Sequence, residues 1–180
     1  MRVPYRVGQV RFYVTSRRQS APALPPDAEN LLSEPMLQQF RILPAGDQRH
    51  LLRVYRYLRA NGADADTLTA GLIHDIGKAC RSCRITLVDR TLHVLLSRFL
   101  PGPYKWFARR EEPPRHTSGL HRLANHAQRG ARAAGLAGYN PRVCDLVRHH
   151  ESGGDRDDHA LCLLRLADES ADHSWDTDTR

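Results

Sequence analysis

From residue 27 onward, apolar residues recur every three to four positions, and the strict alternation of a half-buried strand is found almost nowhere. Such spacing gives each helix one apolar stripe, and stripes of this kind are buried by packing on one another. The chain is therefore expected to be all-α, a compact bundle of about six or seven helices. Leu31, Leu32, Met36, Leu37 and Phe40 mark a helix over 27–40, broken or kinked at Pro35. Leu51, Leu52, Tyr55 and Leu58 mark a second over 48–60, capped by Asp47 and stopped by Asn61-Gly62. Asp64 or Asp66 starts a third, running through Leu68, Leu72, Ile73 and Ile76 to about Ala79. Residues 86–100 are Leu-rich and amphipathic and end at Pro101-Gly102-Pro103, with a short helix over 104–110 beyond. Ser118 is placed to cap a helix over 120–136, and Pro141 to open one over 142–151. The last helix spans 159–172, after a Gly-rich loop at 152–158.

The two ends differ from this pattern. Residues 6–15 alternate weakly, in a β-like way, and 16–26 are basic and then Pro/Ala-rich. The organisation expected is a basic arm over 1–26, one helical domain over 27–175, and a polar tail over 176–180. No apolar run approaches the roughly 18 residues that span a bilayer, and no secretory signal is seen. A cytoplasmic location with no membrane partner is expected. Thiols are then expected to be free: Cys80 and Cys83 as an isolated C-x-x-C, Cys144 and Cys162 as small core residues.

The net charge of +7 comes almost wholly from Arg, since Lys occurs only at Lys78 and Lys105. Arg suits bidentate contacts to phosphate, so an anionic substrate fits; an Arg-rich composition set by the genome gives the same count. Scattered Arg without interleaved aromatics is a poor nucleic-acid signal, and no nucleic-acid partner is expected.

Chemistry concentrates in Gly71-Leu72-Ile73-His74-Asp75-Ile76-Gly77-Lys78. An adjacent imidazole and carboxylate suit a divalent metal. Neighbours on a helix point about 100° apart, so both reach one site only from a helix end facing a cleft. His50, His126, the doublet His149-His150, and Asp168 also lie beside apolar helical faces.

The order His50, His74-Asp75, Asp168 resembles the HD superfamily of metal-dependent phosphohydrolases, with Ala70-Gly71-Leu72-Ile73 before the doublet and Ile76-Gly77-Lys78 after it. The resemblance covers about residues 45–172. His126 with Gly130, then His149-His150-Glu151, resembles the two-metal branches, which include cyclic-dinucleotide phosphodiesterases and a diadenosine tetraphosphate hydrolase group. One cyclic-dinucleotide class carries Gly-Tyr-Pro after His-His-Glu; here Ser152-Gly153-Gly154-Asp155 stands instead.

The resemblance implies one or two divalent transition metals, with Fe, Mn, Co, Ni and Zn all suited to the mixed ligands. One ion takes His50, His74, Asp75 and Asp168; a second takes Asp75, His126 and either His149 or His150. Asp75 is the expected bridge and catalytic carboxylate. Lys78 is expected to touch the substrate phosphate or the end of its helix dipole, with Arg81 and Arg129 as further phosphate contacts. Glu151 is expected to orient a ligand histidine, and His116 and His121 to lie on the surface. The activity implied is hydrolysis of a phosphate ester of a nucleotide or dinucleotide by a metal-activated hydroxide. The alternatives are a mononuclear nucleotidase, or a nucleotide-sensing module with little turnover. The oligomeric state stays open.

Overall fold

The computed structural model describes residues 20–80, 85–110, 114 and 117–173. The β-like reading of 6–15 and the basic residue Arg81 lie outside them. Among the described residues there are ten α-helices, one 3-10 turn and no strand. The helices are α1 (Pro26–Glu29), α2 (Glu34–Ile42), α3 (Ala45–Ala60), α4 (Ala65–Ile73), α5 (Leu87–Phe99), α6 (Pro101–Ala108), α7 (Ser118–Ala124), α8 (His126–Leu136), α9 (Pro141–His149) and α10 (His159–His173). The 3-10 turn, Ile76–Lys78, follows α4.

The all-α reading holds, and the higher helix count comes from local breaks. Pro35 does not kink a helix: it lies in the first turn of α2, where its missing N–H costs nothing. α3 starts at Ala45 rather than after Asp47, so Asp47 sits in its first turn and takes an Arg90 guanidinium at 2.7 Å. Asp64, not Asp66, caps α4, accepting from the Thr67 N–H at 2.8 Å. The expected helix over 120–136 is two helices. Asn125 breaks it at φ −120°, ψ 11°, and its amide donates to the Ala108 and His121 carbonyls. Pro141 does open α9, whose cap is the Asn140 side chain.

α4 forms the spine, packed on α3, α9 and α10, while α8 packs on α9 and on the 3-10 turn. Leu51, Leu52, Leu58, Leu72, Ile73, Leu146, Leu161 and Leu164 fill the space between them. Each fully buried apolar side chain of this size contributes about 1.5–3 kcal/mol. Tyr139 ties the far end of the bundle, accepting from the Ser33 N–H and donating to the Leu31 carbonyl. α5 and α6 form a hairpin held against α7.

Two thiol expectations are corrected. Cys80 is in a disulfide rather than free. Cys162 is exposed, because it falls on the outer side of α10, while Cys144 is buried as expected.

Candidate metal centre

α4 does not run on to Ala79. It ends at Ile73, and the chain bends through His74 and Asp75 into the 3-10 turn. The bend is forced by close packing: the Gly77 backbone lies directly against the His126–Gly130 backbone of α8. It turns the His74 and Asp75 side chains into one buried volume, where both are at most 5% exposed. His50 arrives from the second turn of α3, His126 as the first residue of α8, His150 just past α9, and Asp168 from α10. The break at Asn125 thus has a use, since it starts α8 at a ligand-type residue.

Three of the rings are oriented in the same way. Nδ1 of His74 meets the Gly71 carbonyl at 3.1 Å, Nδ1 of His126 the Leu123 carbonyl at 2.7 Å, and Nδ1 of His150 the Val147 carbonyl at 2.7 Å. A carbonyl only accepts, so each Nδ1 carries a proton and each Nε2 points to the centre, with its lone pair free when the ring is neutral. Glu151 was expected to serve as such an orienting partner and does not. Its Oε1 lies 3.6 Å from His126 Nε2, on the side that faces the centre.

The inward atoms converge on Asp75 and Asp168. Asp75 Oδ1 lies 3.2 Å from His126 Nε2 and 3.9 Å from His150 Nε2. Its other oxygen lies 3.8 Å from His74 Nε2 and 2.5 Å from Lys78 Nζ. Asp168 Oδ1 lies 2.9 Å from His50 Nε2 and 3.5 Å from His74 Nε2. His50, His74 and Asp75 form one group whose donor atoms all lie within 4.8 Å of one another, and Asp75, His126 and His150 form a second.

Two observations say that this donor set fits a cation. His126 Nε2 and His150 Nε2 stand 3.3 Å apart, although the hydrogen bonds at Nδ1 leave both as acceptors. His74 Nε2 is buried without a hydrogen bond. Two ligands at about 2.1 Å from one tetrahedral ion stand about 3.4 Å apart, which matches the His126–His150 separation. Buried His/Asp groups of this kind could hold a metal ion, and they are compatible with an HD-type site.

The electrostatics of the metal-free site follow from the same packing. Burial opposes charge on His74, but Asp75 and Asp168 outweigh it and raise its pKa to about 9. Burial likewise opposes the Asp75 charge, yet Lys78 and His74 hold that carboxyl well below the usual range. Asp168 is held low against burial by a hydrogen bond from His50 and by the nearby imidazole of His74, whose Nε2 lies 3.5 Å away. Burial, then the charges of His74 and His126, push His150 down to about 3.

His74 gains a proton on folding between about pH 6.5 and 9, so metal-free stability is full below 6.5 and falls as pH rises through 9. His150 stays neutral when folded, so stability also falls as pH drops from 6.5 toward 3. Thermal melts in chelator should peak near pH 6.5. Metal ligation needs neutral His74, so divalent affinity should rise from pH 6.5 to 9, with about one proton released per protein. Calorimetric titration in buffers of different ionisation enthalpy counts that proton.

Of the sequence-derived ligands, His50, His74, Asp75, His126, His150 and Asp168 are brought together. His149 is not: its ring faces the loop at Gly153 and Gly154, both at positive φ. Lys78 is drawn onto Asp75, and Arg129 is exposed. His121 is buried, not on the surface, and its Nε2 donates to the Arg110 carbonyl at 2.8 Å.

Sequence reasoning missed four other residues. Arg122 donates to the Gly77 and Ala79 carbonyls and so pins the 3-10 turn. Arg165 donates to the His149, His150 and Gly153 carbonyls and pins the end of α9. Both satisfy carbonyls at the ends of helical elements, a use of Arg that a charge count does not distinguish from phosphate binding. His93 of α5 meets Tyr104 of α6 at 2.6 Å. Burial, then the charges of His126 and Lys78, push His93 down to about 4, so it stands neutral beside the centre. Its one sequence signal is that it lies off the apolar stripe of α5. Compared with known proteins, the chain matches no family model, no curated protein and no solved structure.

Proposed function

We propose that the chain is an HD-type metal-dependent phosphohydrolase that cleaves a phosphate ester of a nucleotide or dinucleotide. The observation that carries this reading is Asp75. One of its oxygens serves the His126–His150 group and the other faces His74, so a single buried carboxylate belongs to both sets of donors. His50, His74, Asp75 and Asp168 would hold one divalent ion; Asp75, His126 and His150 would hold another. Bound there, divalent metal supplies Lewis acidity toward phosphoryl oxygens and a water of lowered pKa.

The protein's own groups do the rest. The three backbone carbonyls keep Nδ1 protonated and Nε2 basic. Lys78 compensates the Asp75 charge, and Asp75 and Asp47 raise its pKa against the effect of burial, so the pair stays ionised when water is excluded. Glu151 places an exposed carboxylate 3.6 Å from His126 Nε2, within reach of a proton at the mouth of the site. His93, kept neutral, offers a ring N–H once Tyr104 occupies its Nδ1.

The test is hydrolysis of bis(p-nitrophenyl) phosphate and a nucleotide panel by protein loaded with Mn or Fe. Turnover that chelator removes is expected. His126→Ala separates the two-metal reading from a mononuclear nucleotidase. The two-metal reading expects activity to fall by at least about 100-fold, more than the loss of an outer ligand partner causes. A mononuclear site would leave it nearly unchanged. If no substrate in the panel turns over with any metal, the regulatory reading replaces this one.

A further inference from the structure

Eight large apolar side chains are exposed among the described residues, and six of them lie on the α5–α6 hairpin: Val88, Leu92, Leu95, Phe99, Leu100 and Trp106. Val88, Leu92, Leu95 and Phe99 are spaced by four, three and four residues, which places them on one face of α5. These are not marginal exposures: Val88 is 66%, Phe99 72% and Trp106 64% exposed. His93 lies on another side of the same helix and meets Tyr104. The apolar stripe is therefore not the face that closes the metal centre.

Charge is concentrated in the same place. Residues 85–110 carry five basic residues, Arg90, Arg98, Lys105, Arg109 and Arg110, against one acid, Asp89. That excess is more than half of the net +7 of the whole chain. Asp89 is buried as the capping partner of Thr86, so it does not offset the rim. Arg90 is held by Asp47, while Arg98, Lys105, Arg109 and Arg110 are exposed. The Arg110 guanidinium lies over the Trp106 ring, 4.7 Å from its centroid.

We infer that the α5–α6 hairpin docks on the surface of an anionic lipid bilayer. An apolar helical stripe ending in Phe and Trp and rimmed by Arg and Lys is the pattern of a helix that lies in the headgroup layer. The apolar side chains enter the acyl boundary, and the rim meets lipid phosphates and carboxylates. A second copy of this chain is the poorer occupant, because a two-fold interface would set the basic rim against itself. No described helix is long and apolar enough to cross a membrane; that concerns spanning and leaves surface docking open. The inference stands apart from the reading of the metal centre.

The test is co-sedimentation of the full chain with phosphatidylcholine vesicles, alone or with about 30 mol% phosphatidylserine. Binding is expected to the anionic vesicles, at least about tenfold tighter than to the neutral ones, and to weaken several-fold in high salt. The double variant Leu95→Glu, Phe99→Glu should lose at least about tenfold while its circular dichroism and metal content stay unchanged. Arg98→Glu with Lys105→Glu should lose affinity for the anionic vesicles only.

Failure to bind any vesicle at low salt overturns the inference. Unchanged binding by the Leu95/Phe99 variant overturns it too, since general basic charge would then explain the attraction. A concentration-dependent dimer abolished by that variant, without vesicle binding, makes the face a self-interface. Capture by immobilised polyglutamate without vesicle binding assigns it to an acidic protein. Either of these results replaces the lipid surface.

Discussion

Asp75→Asn is expected to remove divalent metal binding and hydrolysis together, each by more than about 100-fold, while leaving the helical content unchanged. The loss should exceed the about 10- to 100-fold that removing an outer partner of a ligand costs, because both donor groups include this carboxylate. Asn has nearly the same shape but is a neutral and weaker ligand. The same change takes away the largest charge that raises His74, so the His74 pKa should drop from about 9 toward its ordinary value or below. Titration of the imidazole by NMR in the metal-free variant reads this without relying on activity. Equilibrium dialysis with Mn reads the metal. Full metal binding by the variant would mean that the two groups are not joined through Asp75.

Gly77→Ala should be the most damaging single change of fold. A Cβ at Gly77 would stand 2.8 Å from both the Gly130 nitrogen and the His126 carbonyl carbon, with the His126 oxygen closer still. These are backbone atoms, so no rotamer can give way, and α8 must move off the 3-10 turn. We expect a loss of about 3 kcal/mol, the upper end of the range for overpacked cores, with the melting temperature lower by roughly 6–12 °C. Metal affinity should fall as well, since the displaced helix carries His126. Gly62→Ala is the contrast: nothing lies within 4 Å of its Cβ position, and its cost comes from φ of 70° alone. That cost should be about 1 kcal/mol with unchanged metal binding. Equal effects from the two variants would contradict the close-packing account.

What was legible in the sequence follows from what periodicity encodes. Apolar spacing identified the stripes on α3, α4, α9 and α10, whose buried leucines face one another as expected. It did not show where a helix stops when the stop is set by tertiary contact. The end of α4 at Ile73 depends on Gly77 meeting the α8 backbone, and the break at Asn125 depends on the distant Ala108 carbonyl. Both breaks matter for the site, because they turn His74, Asp75 and His126 into one volume.

The choice between His149 and His150 was open for the same reason. The Val147 carbonyl and the loop at Gly153 decide which ring points inward. Lys78 was expected to reach one turn along a continuous helix and instead closes on Asp75 from a 3-10 turn. Arg residues were the least legible. Arg122 and Arg165 bind carbonyls at helix ends, and the phosphate contacts expected of Arg81 and Arg129 belong to the substrate reading. The exposed stripe of α5 carries the same helical signature as a core stripe, so spacing alone could not show that it faces outward.

The central claim is that two donor groups joined at Asp75 each hold a metal ion. Anomalous scattering from crystals of the Mn-loaded protein tests it most directly. The account predicts two peaks, one within bonding distance of His50, His74 and Asp168 and one within bonding distance of His126 and His150, both in contact with Asp75 and about 3.5–4 Å apart. A single peak, two peaks that do not share Asp75, or no peak at these residues at saturating Mn would contradict it.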